Sequence, residues 1–307
     1  MAGLPKLEVT IAGVTFKNPI MVAGGTFGYG VEFADILDIG RLGGLVVKGL
    51  SSRPLKGNPE PRLYETAGGL LNSVGLQNIG AEAFVKSKLP ALRTCGTPII
   101  ANIFGYSLEE YTEVARLLNA TEGIAAIELN ISCPNTDRGG IEFASDLQLT
   151  HRIVGEIKRV LTRLPLFVKL SPNVGDIKSC ARAAADGGAD ALTLVNTFLG
   201  MAINVETRRP IFANVVAGLS GPAIHPIALR LVHEAAHAVT IPIIGVGGVH
   251  KVEDALEFMI AGARAVQVGT ANFYDPQAPI KIIDGLAAYA RRNSLSDIND
   301  IVGSLIT

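Results

Sequence analysis

A single thiol stands among amides in the run Ile127-Glu128-Leu129-Asn130-Ile131-Ser132-Cys133-Pro134-Asn135. Strand side chains repeat every two residues, so Ile127, Leu129 and Ile131 share one side and Glu128 and Asn130 the other. Pro134 cannot donate to a sheet, so the ladder stops and Cys133 lies just past the strand end. A cysteine taken alone is more often a buried structural residue. A thiol at a strand end with an amide on each side reads as a site, and the rest of the chain shifts the balance that way.

Other apolar runs also end in polar residues: Lys48, Asn102, Asn130, Lys169 and Asn196-Thr197. A lysine or asparagine closing a buried run is costly unless it has partners. One such residue is explained as a snorkelling or capping side chain, but several at equivalent positions are not. The remaining runs end in glycine, at Gly24-Gly25, Gly245-Val-Gly-Gly248 and Gly269-Thr270. Glycine turns there expose backbone N–H groups that can hold a phosphate, although glycines also simply close tight loops. His250 stands where G-x-G-x-x-G needs its last glycine, so one phosphate is favoured over a dinucleotide.

Two lysines, several amides and phosphate-binding turns suit flavin mononucleotide (FMN). A cation near the N1–C2 carbonyl edge stabilises the anionic reduced ring, and Lys169 is the better candidate for it. Lys48, on a separate strand, is expected between flavin and an anionic substrate. Asn72, Asn130, Asn135 and Asn196 can meet the donor and acceptor pattern of a planar heterocycle. Cys133 can then take a proton from a carbon next to a carbonyl while hydride leaves the neighbouring carbon.

The elements that must position these residues follow a regular plan. Pro19-Ile-Met-Val, Pro98-Ile-Ile-Ala, Pro165-Leu-Phe-Val and Pro242-Ile-Ile-Gly each open an apolar run with proline, where a strand tolerates it. Between them lie Gly44-Leu-Val-Val, Gly123-Ile-Ala-Ala-Ile, Gly188-Ala-Asp-Ala-Leu and Gly262-Ala-Arg-Ala-Val. Helical periodicity fills the gaps: a capping box at Ser107-Leu-Glu-Glu110 opens a helix to Asn119. Further helices are expected over Asp146–Leu161, Asp176–Asp186, Ile224–Val239, Val252–Ala261 and Ile280–Arg292. Buried strands alternating with helices imply a parallel sheet, and eight such units imply a closed (β/α)8 TIM barrel, an α/β fold, rather than an open doubly wound sheet.

Barrel active sites lie at the C-terminal strand ends, which is where the polar residues and glycines stand. Leu7 to Phe16 reads as an N-terminal hairpin plugging one end of the barrel. Long loops follow strands 2, 4 and 6: Gly49 to Gln77, Cys133 to Ala144 with Gly139-Gly140 as a hinge, and Thr197 to Pro222 with its alternating Pro210–Val216. They are expected to wall and cover the site.

At 307 residues the whole of 1–307 is expected to be one domain, since barrels run this long. A net charge of −1 leaves no electrostatic footprint for nucleic acid or an anionic membrane. No apolar run approaches the ~20 residues of a membrane span, and the start has no export-signal pattern. Cys95, Cys133 and Cys180 are scattered and form no C-x-x-C pair, which argues against a disulfide framework or a zinc or iron–sulfur site. A cytoplasmic protein with no bound metal is the expectation.

The run Asn130-Ile-Ser-Cys-Pro-Asn135 resembles the signature of the class 1 dihydroorotate dehydrogenases. Asn72-Ser-Val-Gly-Leu76, Val168-Lys169-Leu170, Val195-Asn196-Thr197, Leu219-Ser-Gly-Pro222 and Val268-Gly-Thr270 match that family in order, over essentially the whole chain. Asn196-Thr-Phe-Leu-Gly-Met and Gly218-Leu-Ser-Gly-Pro-Ala-Ile point to its class 1B catalytic subunits. The resemblance implies a barrel that binds FMN and oxidises (S)-dihydroorotate to orotate in pyrimidine synthesis, with Cys133 as the base at C5. It implies that Lys48, Asn72, Ser73, Val74, Gly75, Leu76, Asn130, Asn135, Asn196 and Thr197 hold the substrate. Around the flavin it implies Gly24, Gly25, Lys48, Gly49, Asn102, Asn130, Lys169, Val195, Gly221, Gly247, Gly248, Gly269 and Thr270. Gly24 departs from the serine of many relatives, so a side-chain contact is lost there. The resemblance also implies a homodimer joined by a second subunit carrying FAD and a [2Fe–2S] cluster, a heterotetramer that passes electrons to NAD+.

Two rival chemistries are weaker. His233-Glu-Ala-Ala-His237 matches the H-E-x-x-H zinc motif, but the barrel reading puts it on a helix half running away from every polar strand end. A barrel-strand lysine such as Lys169 can also be the Schiff-base nucleophile of a lyase or aldolase.

Overall fold

The computed structural model describes residues 5–131 and 146–306. The chain opens with an antiparallel hairpin, β1 (Val9–Ile11) and β2 (Val14–Phe16). Strands β3 (Ile20–Val22) and β4 (Gly44–Val46) follow, then an excursion with β5 (Leu63–Thr66) and β6 (Gly69–Asn72), and helices α1 (Ala81–Ser87) and α2 (Leu89–Leu92). Strand and helix then alternate: β7 (Ile99–Ile103), α3 (Leu108–Asn119), β8 (Ala126–Asn130), α4 (Leu147–Val160), β9 (Leu166–Lys169), α5 (Ile177–Asp186) and β10 (Ala191–Leu194). A second excursion carries β11 (Phe198–Met201), β12 (Ile203–Asn204), β13 (Arg209–Pro210) and β14 (Val216–Ser220). The described chain ends through α6 (His225–Ala236), β15 (Ile243–Val246), α7 (Val252–Ile260), β16 (Ala263–Val268), α8 (Ala271–Tyr274) and α9 (Ala278–Arg292).

Strands β3, β4, β7, β8, β9, β10, β15 and β16 close in that order into an eight-stranded parallel barrel, β16 pairing back onto β3. These are the eight runs expected from the sequence. The four prolines show why odd and even strands differ. A proline lacks a donor but keeps its carbonyl, and each of these carbonyls accepts from the neighbouring even strand. Val266 N donates to Pro19 O, Leu45 N to Pro98 O, Ile127 N to Pro165 O and Leu192 N to Pro242 O, at 2.8–3.0 Å. Proline thus starts a strand at no cost to the ladder.

Small residues let the layers meet. A Cβ on Gly245 of β15 would lie 2.8 Å from the Phe258 ring of α7, so glycine is what allows that helix to pack. A Cβ on Gly44 would meet the Phe16 ring at 3.3 Å, which places the hairpin against the start of β4, the N-terminal end of the barrel. The expected plug is there. Asp146 and Asp176 cap α4 and α5, accepting from Leu149 N and from Lys178 N and Ser179 N. Ser107 accepts from Glu110 N, but Glu110 reaches back to Tyr106 N, one residue before the position a capping box would use.

Two expected loops are built instead as a sheet. The excursions after β4 and β10 pair as a four-stranded antiparallel sheet ordered β11-β14-β6-β5. Of the alternating stretch 210–216 only the ends are strand. The connection after β8, residues 132–145, lies outside the described residues, as therefore does the expected hinge Gly139-Gly140.

Leu71, Phe212 and Ala217 form a small buried cluster separate from the main core. Phe212→Ala should therefore loosen the accessory sheet alone, at a cost of about 3–5 kcal/mol to its local opening. Hydrogen exchange should lose protection over 63–72 and 216–220 while β7, β8 and β9 stay protected. Equal loss in both would mean that sheet and barrel share one core.

Candidate functional site

A carboxylate sits in the middle of the barrel. Glu128 of β8 is wholly buried. Its Oε1 accepts from Asn102 Nδ2 of β7 at 2.7 Å and lies 3.9 Å from Lys169 Nζ of β9. Its Oε2 accepts from Thr193 Oγ1 of β10 at 3.0 Å and from Gln267 Nε2 of β16 at 2.7 Å. In the closed order β16 lies four strands from β8, directly opposite, so the last bond crosses the barrel. A buried charge is tolerated only with such pairing. Lys169, itself buried, has Glu128 as its counter-charge.

Above this cluster the strand ends form one ring. Asn130 is the register partner of Lys169, and Tyr111 of α3 donates to the Asn130 carbonyl at 2.8 Å. Asn102 lies between Gly24 and Gly49. A Cβ on Gly24 would be 3.5 Å from Asn102 Cβ, and one on Gly49 would be 3.0 Å from Asn102 Oδ1. The Gly24 Cβ would also lie 3.1 Å from Val47 O, so the missing serine corresponds to a crowded position.

Gly221, Gly247 and Gly248 meet on the other side. Gly248 has φ +71°, and a Cβ there would lie 2.7 Å from His225 Cβ and 2.8 Å from Gly221 O. A Cβ on Gly247 would meet Ala228 Cβ at 2.6 Å and Val195 Cγ2 at 3.8 Å. Thr270 Oγ1 donates to Ser220 Oγ at 2.8 Å, joining the turn after β16 to the accessory sheet. His225, the first residue of α6, backs the turn: its Nδ1 is 3.1 Å from Gly247 O and its Nε2 2.7 Å from Glu257. Among the described residues, the N–H groups of Gly247, Gly248, Gly269 and Thr270 donate to no protein acceptor. Unpaired amides on glycine turns beside a helix N-terminus form an anion site.

The accessory sheet supplies an adjoining wall. Asn72 Nδ2 donates to Gly218 O at 3.1 Å, and a Cβ on Gly218 would collide with Thr197 Oγ1, so Asn72, Gly218 and Thr197 are neighbours. Asn196 Oδ1 accepts from Thr197 N. Residues 73–76 are held from below: Asn58 Nδ2 donates to Ser73 O and Oγ, Asn58 N to Val74 O, and Asn78 Nδ2 to Leu76 O. Gly75 and Leu76 both have positive φ. Arg62 locks the loop through Nε to Asn58 O, Nη1 to Gln77 Oε1 and Nη2 to Lys56 O. Burial, and then the Arg62 charge, hold the Lys48 ammonium below the usual lysine range. The loop held by Arg62 and the end of β4 therefore share one space.

Of the residues expected from sequence, those described gather at this one mouth. Cys133 and Asn135 lie outside the described residues. Glu128, Thr193, Gln267 and His225 carried no expected role. His233 and His237 of the zinc-like motif lie against each other with their rings tilted by 54°, and His237 Nδ1 lies against His233 O.

The geometry suits a phosphate-bearing planar cofactor: amides unpaired on glycine turns, and a buried ammonium two strands away on the same ring. Residues 6–289 match the family model described as dihydroorotate dehydrogenase. A Geotalea uraniireducens protein named dihydroorotate dehydrogenase B (NAD(+)), catalytic subunit, is 53% identical over 99% of this chain and 100% of its own length. One of that name from Thermoanaerobacter sp. (strain X514) is 53% identical over 97% of this chain and 98% of its own. A Solibacter usitatus protein named putative dihydroorotate dehydrogenase A (fumarate) is 55% identical over 98% and 99%.

Thr193→Val should cost about 1.5–3 kcal/mol in urea denaturation, because it removes one donor from a buried carboxylate. A cost below about 0.5 kcal/mol, the size of an ordinary surface change, would mean that Thr193 is not engaged with Glu128.

Proposed function

The chain belongs to the dihydroorotate dehydrogenase family, and from that premise we propose that it oxidises (S)-dihydroorotate to orotate with FMN held at the C-terminal mouth of the barrel. The observation that carries this reading is the single ring on which unpaired glycine amides, Lys169, Asn102 and Asn130 converge. Gly247, Gly248, Gly269 and Thr270 would hold the phosphate, and Lys169 would meet the N1–C2 edge of the flavin. Gly24, Gly25, Gly49, Val195 and Gly221 would line the space between. When bound, the flavin supplies the acceptor for the hydride leaving C6 of the substrate.

The chain's own residues do the rest. Asn72, Ser73–Leu76, Asn130, Asn135, Asn196 and Thr197 orient the planar substrate through amide and backbone groups. Lys48 pairs with the substrate carboxylate. Cys133 Sγ takes the C5 proton, so that one proton leaves on sulfur as the electron pair and the other hydrogen depart together. The accessory sheet excludes water on its side of the mouth, which strengthens each of these interactions.

Schiff-base chemistry at Lys169 is not adopted, because the family is one of oxidoreductases and Glu128 holds that ammonium as a partner. Relatives named as NAD(+)-linked catalytic subunits support NAD+ as the final acceptor through a partner subunit; that this partner bears FAD and a [2Fe–2S] cluster, in a heterotetramer around a homodimer, is what the family resemblance implies. The fumarate-type relative makes fumarate the second reading. Turnover with fumarate by the isolated chain would favour it; turnover with NAD+ only on adding the partner supports the first. Among the described residues no helix is long and apolar enough to cross a membrane, which fits a cytoplasmic setting.

Cys133→Ala should keep its FMN and lose about 10²–10⁴ in the rate of flavin bleaching by dihydroorotate, the usual weight of a general base. Bleaching near wild-type speed would remove Cys133 from that role. The lowered Lys48 pKa predicts a second effect. As pH rises through it the cation is lost, so orotate affinity should fall by about ten-fold per pH unit, beginning below the usual lysine range. Lys48→Met should bind orotate weakly at every pH. A wild-type affinity that stays flat through that range would show that Lys48 does not pair with the anion.

A further inference from the structure

We propose that Glu128 is a positioning residue that sets the charge felt by the flavin: it aims Lys169 and Asn102 at the mouth and offsets part of the lysine's charge. The inference rests on the reading of this mouth as a flavin site. Nothing in the proposed chemistry uses Glu128, yet the barrel places four polar partners from four other strands around it. A well-packed apolar side chain would fill that space at no greater cost, since buried ion pairs rarely stabilise more than hydrophobic replacements. What an apolar residue could not do is hold an ammonium.

The geometry gives the effect a sign. Two-electron reduction builds negative charge at the N1–C2 edge, which Lys169 favours. Glu128, 3.9 Å behind that ammonium in a space without solvent, opposes it. Glu128 therefore keeps the flavin harder to reduce than Lys169 alone would make it, and so a stronger donor to whatever takes its electrons next.

Glu128→Gln keeps the shape and removes the charge. The cluster can accept the new amide: the Thr193 hydroxyl can accept instead of donating, and Gln267 Oε1 has no hydrogen-bond partner, so turning that amide offers an acceptor. FMN bound to wild type and variant is titrated anaerobically against a redox dye. The variant should shift the reduced-to-oxidised ratio at fixed potential at least ten-fold toward reduced, about 30 mV for a two-electron couple. A folded, flavin-bearing Glu128→Gln with an unmoved or opposite ratio would make Glu128 a structural residue only, and overturn the inference while leaving the flavin reading intact.

Should Glu128→Gln not fold, Thr193→Val takes its place. It strips a neutral donor from the carboxylate, concentrates the negative charge and should shift the ratio at least two-fold toward oxidised. No shift, or one toward reduced, overturns the inference. Wild-type protein that takes up no FMN overturns the reading and the inference together.

Discussion

A wholly buried carboxylate cannot stay charged in a barrel of leucine, valine and isoleucine unless its neighbours pair with it. Glu128 meets that demand with one hydrogen bond to the next strand, one to a strand two away and one across the full width of the barrel, besides its lysine. Each bond to a charged group contributes about 1.5–3 kcal/mol. Surface pairs such as Glu82–Lys86 and Glu156–Arg159, by contrast, contribute about 0–1 kcal/mol and are screened by salt. The polar centre thus constrains the strands more than any charge on the outside, and it fixes Asn102 and Lys169 before any ligand arrives.

The mouth is built by division of labour. Strand ends, rigid because every strand has two neighbours, carry the residues that must not move. The side of the glycine turns is made of backbone, where a Cβ on Gly247 or Gly248 would strike the helix behind. The wall carrying Asn72 comes from excursions that gain rigidity by pairing with each other and by the Arg62 clamp on the loop beneath 73–76. Thr270 to Ser220 joins the two sides.

The barrel was legible because its signals are local. Prolines and small residues mark strand starts, and the polar residues at strand ends fall where barrel geometry puts a site. The accessory sheet was not, because its strands are short and its two local pairs join only through β6 and β14, more than a hundred residues apart, as Asn72 is from Gly218. Within the site, Lys48, Lys169 and the glycines were visible by type and position. Glu128, Thr193 and Gln267 each interrupt a buried strand mid-run, which was a readable signal of an inward polar cluster. Only three-dimensional closure shows that they meet. His225 had no signal at all: its role depends on the α6 N-terminus lying behind a turn more than twenty residues later.

Cofactor and charge cluster make one geometric claim, and a crystal structure of the chain with FMN bound tests it most directly. The phosphate should accept from the N–H groups of Gly247, Gly248, Gly269 and Thr270 at about 3 Å. Lys169 Nζ should reach the N1–C2 edge of the ring while still facing Glu128. A phosphate bound elsewhere, or a ring whose N1–C2 edge points away from Lys169, would contradict the claim.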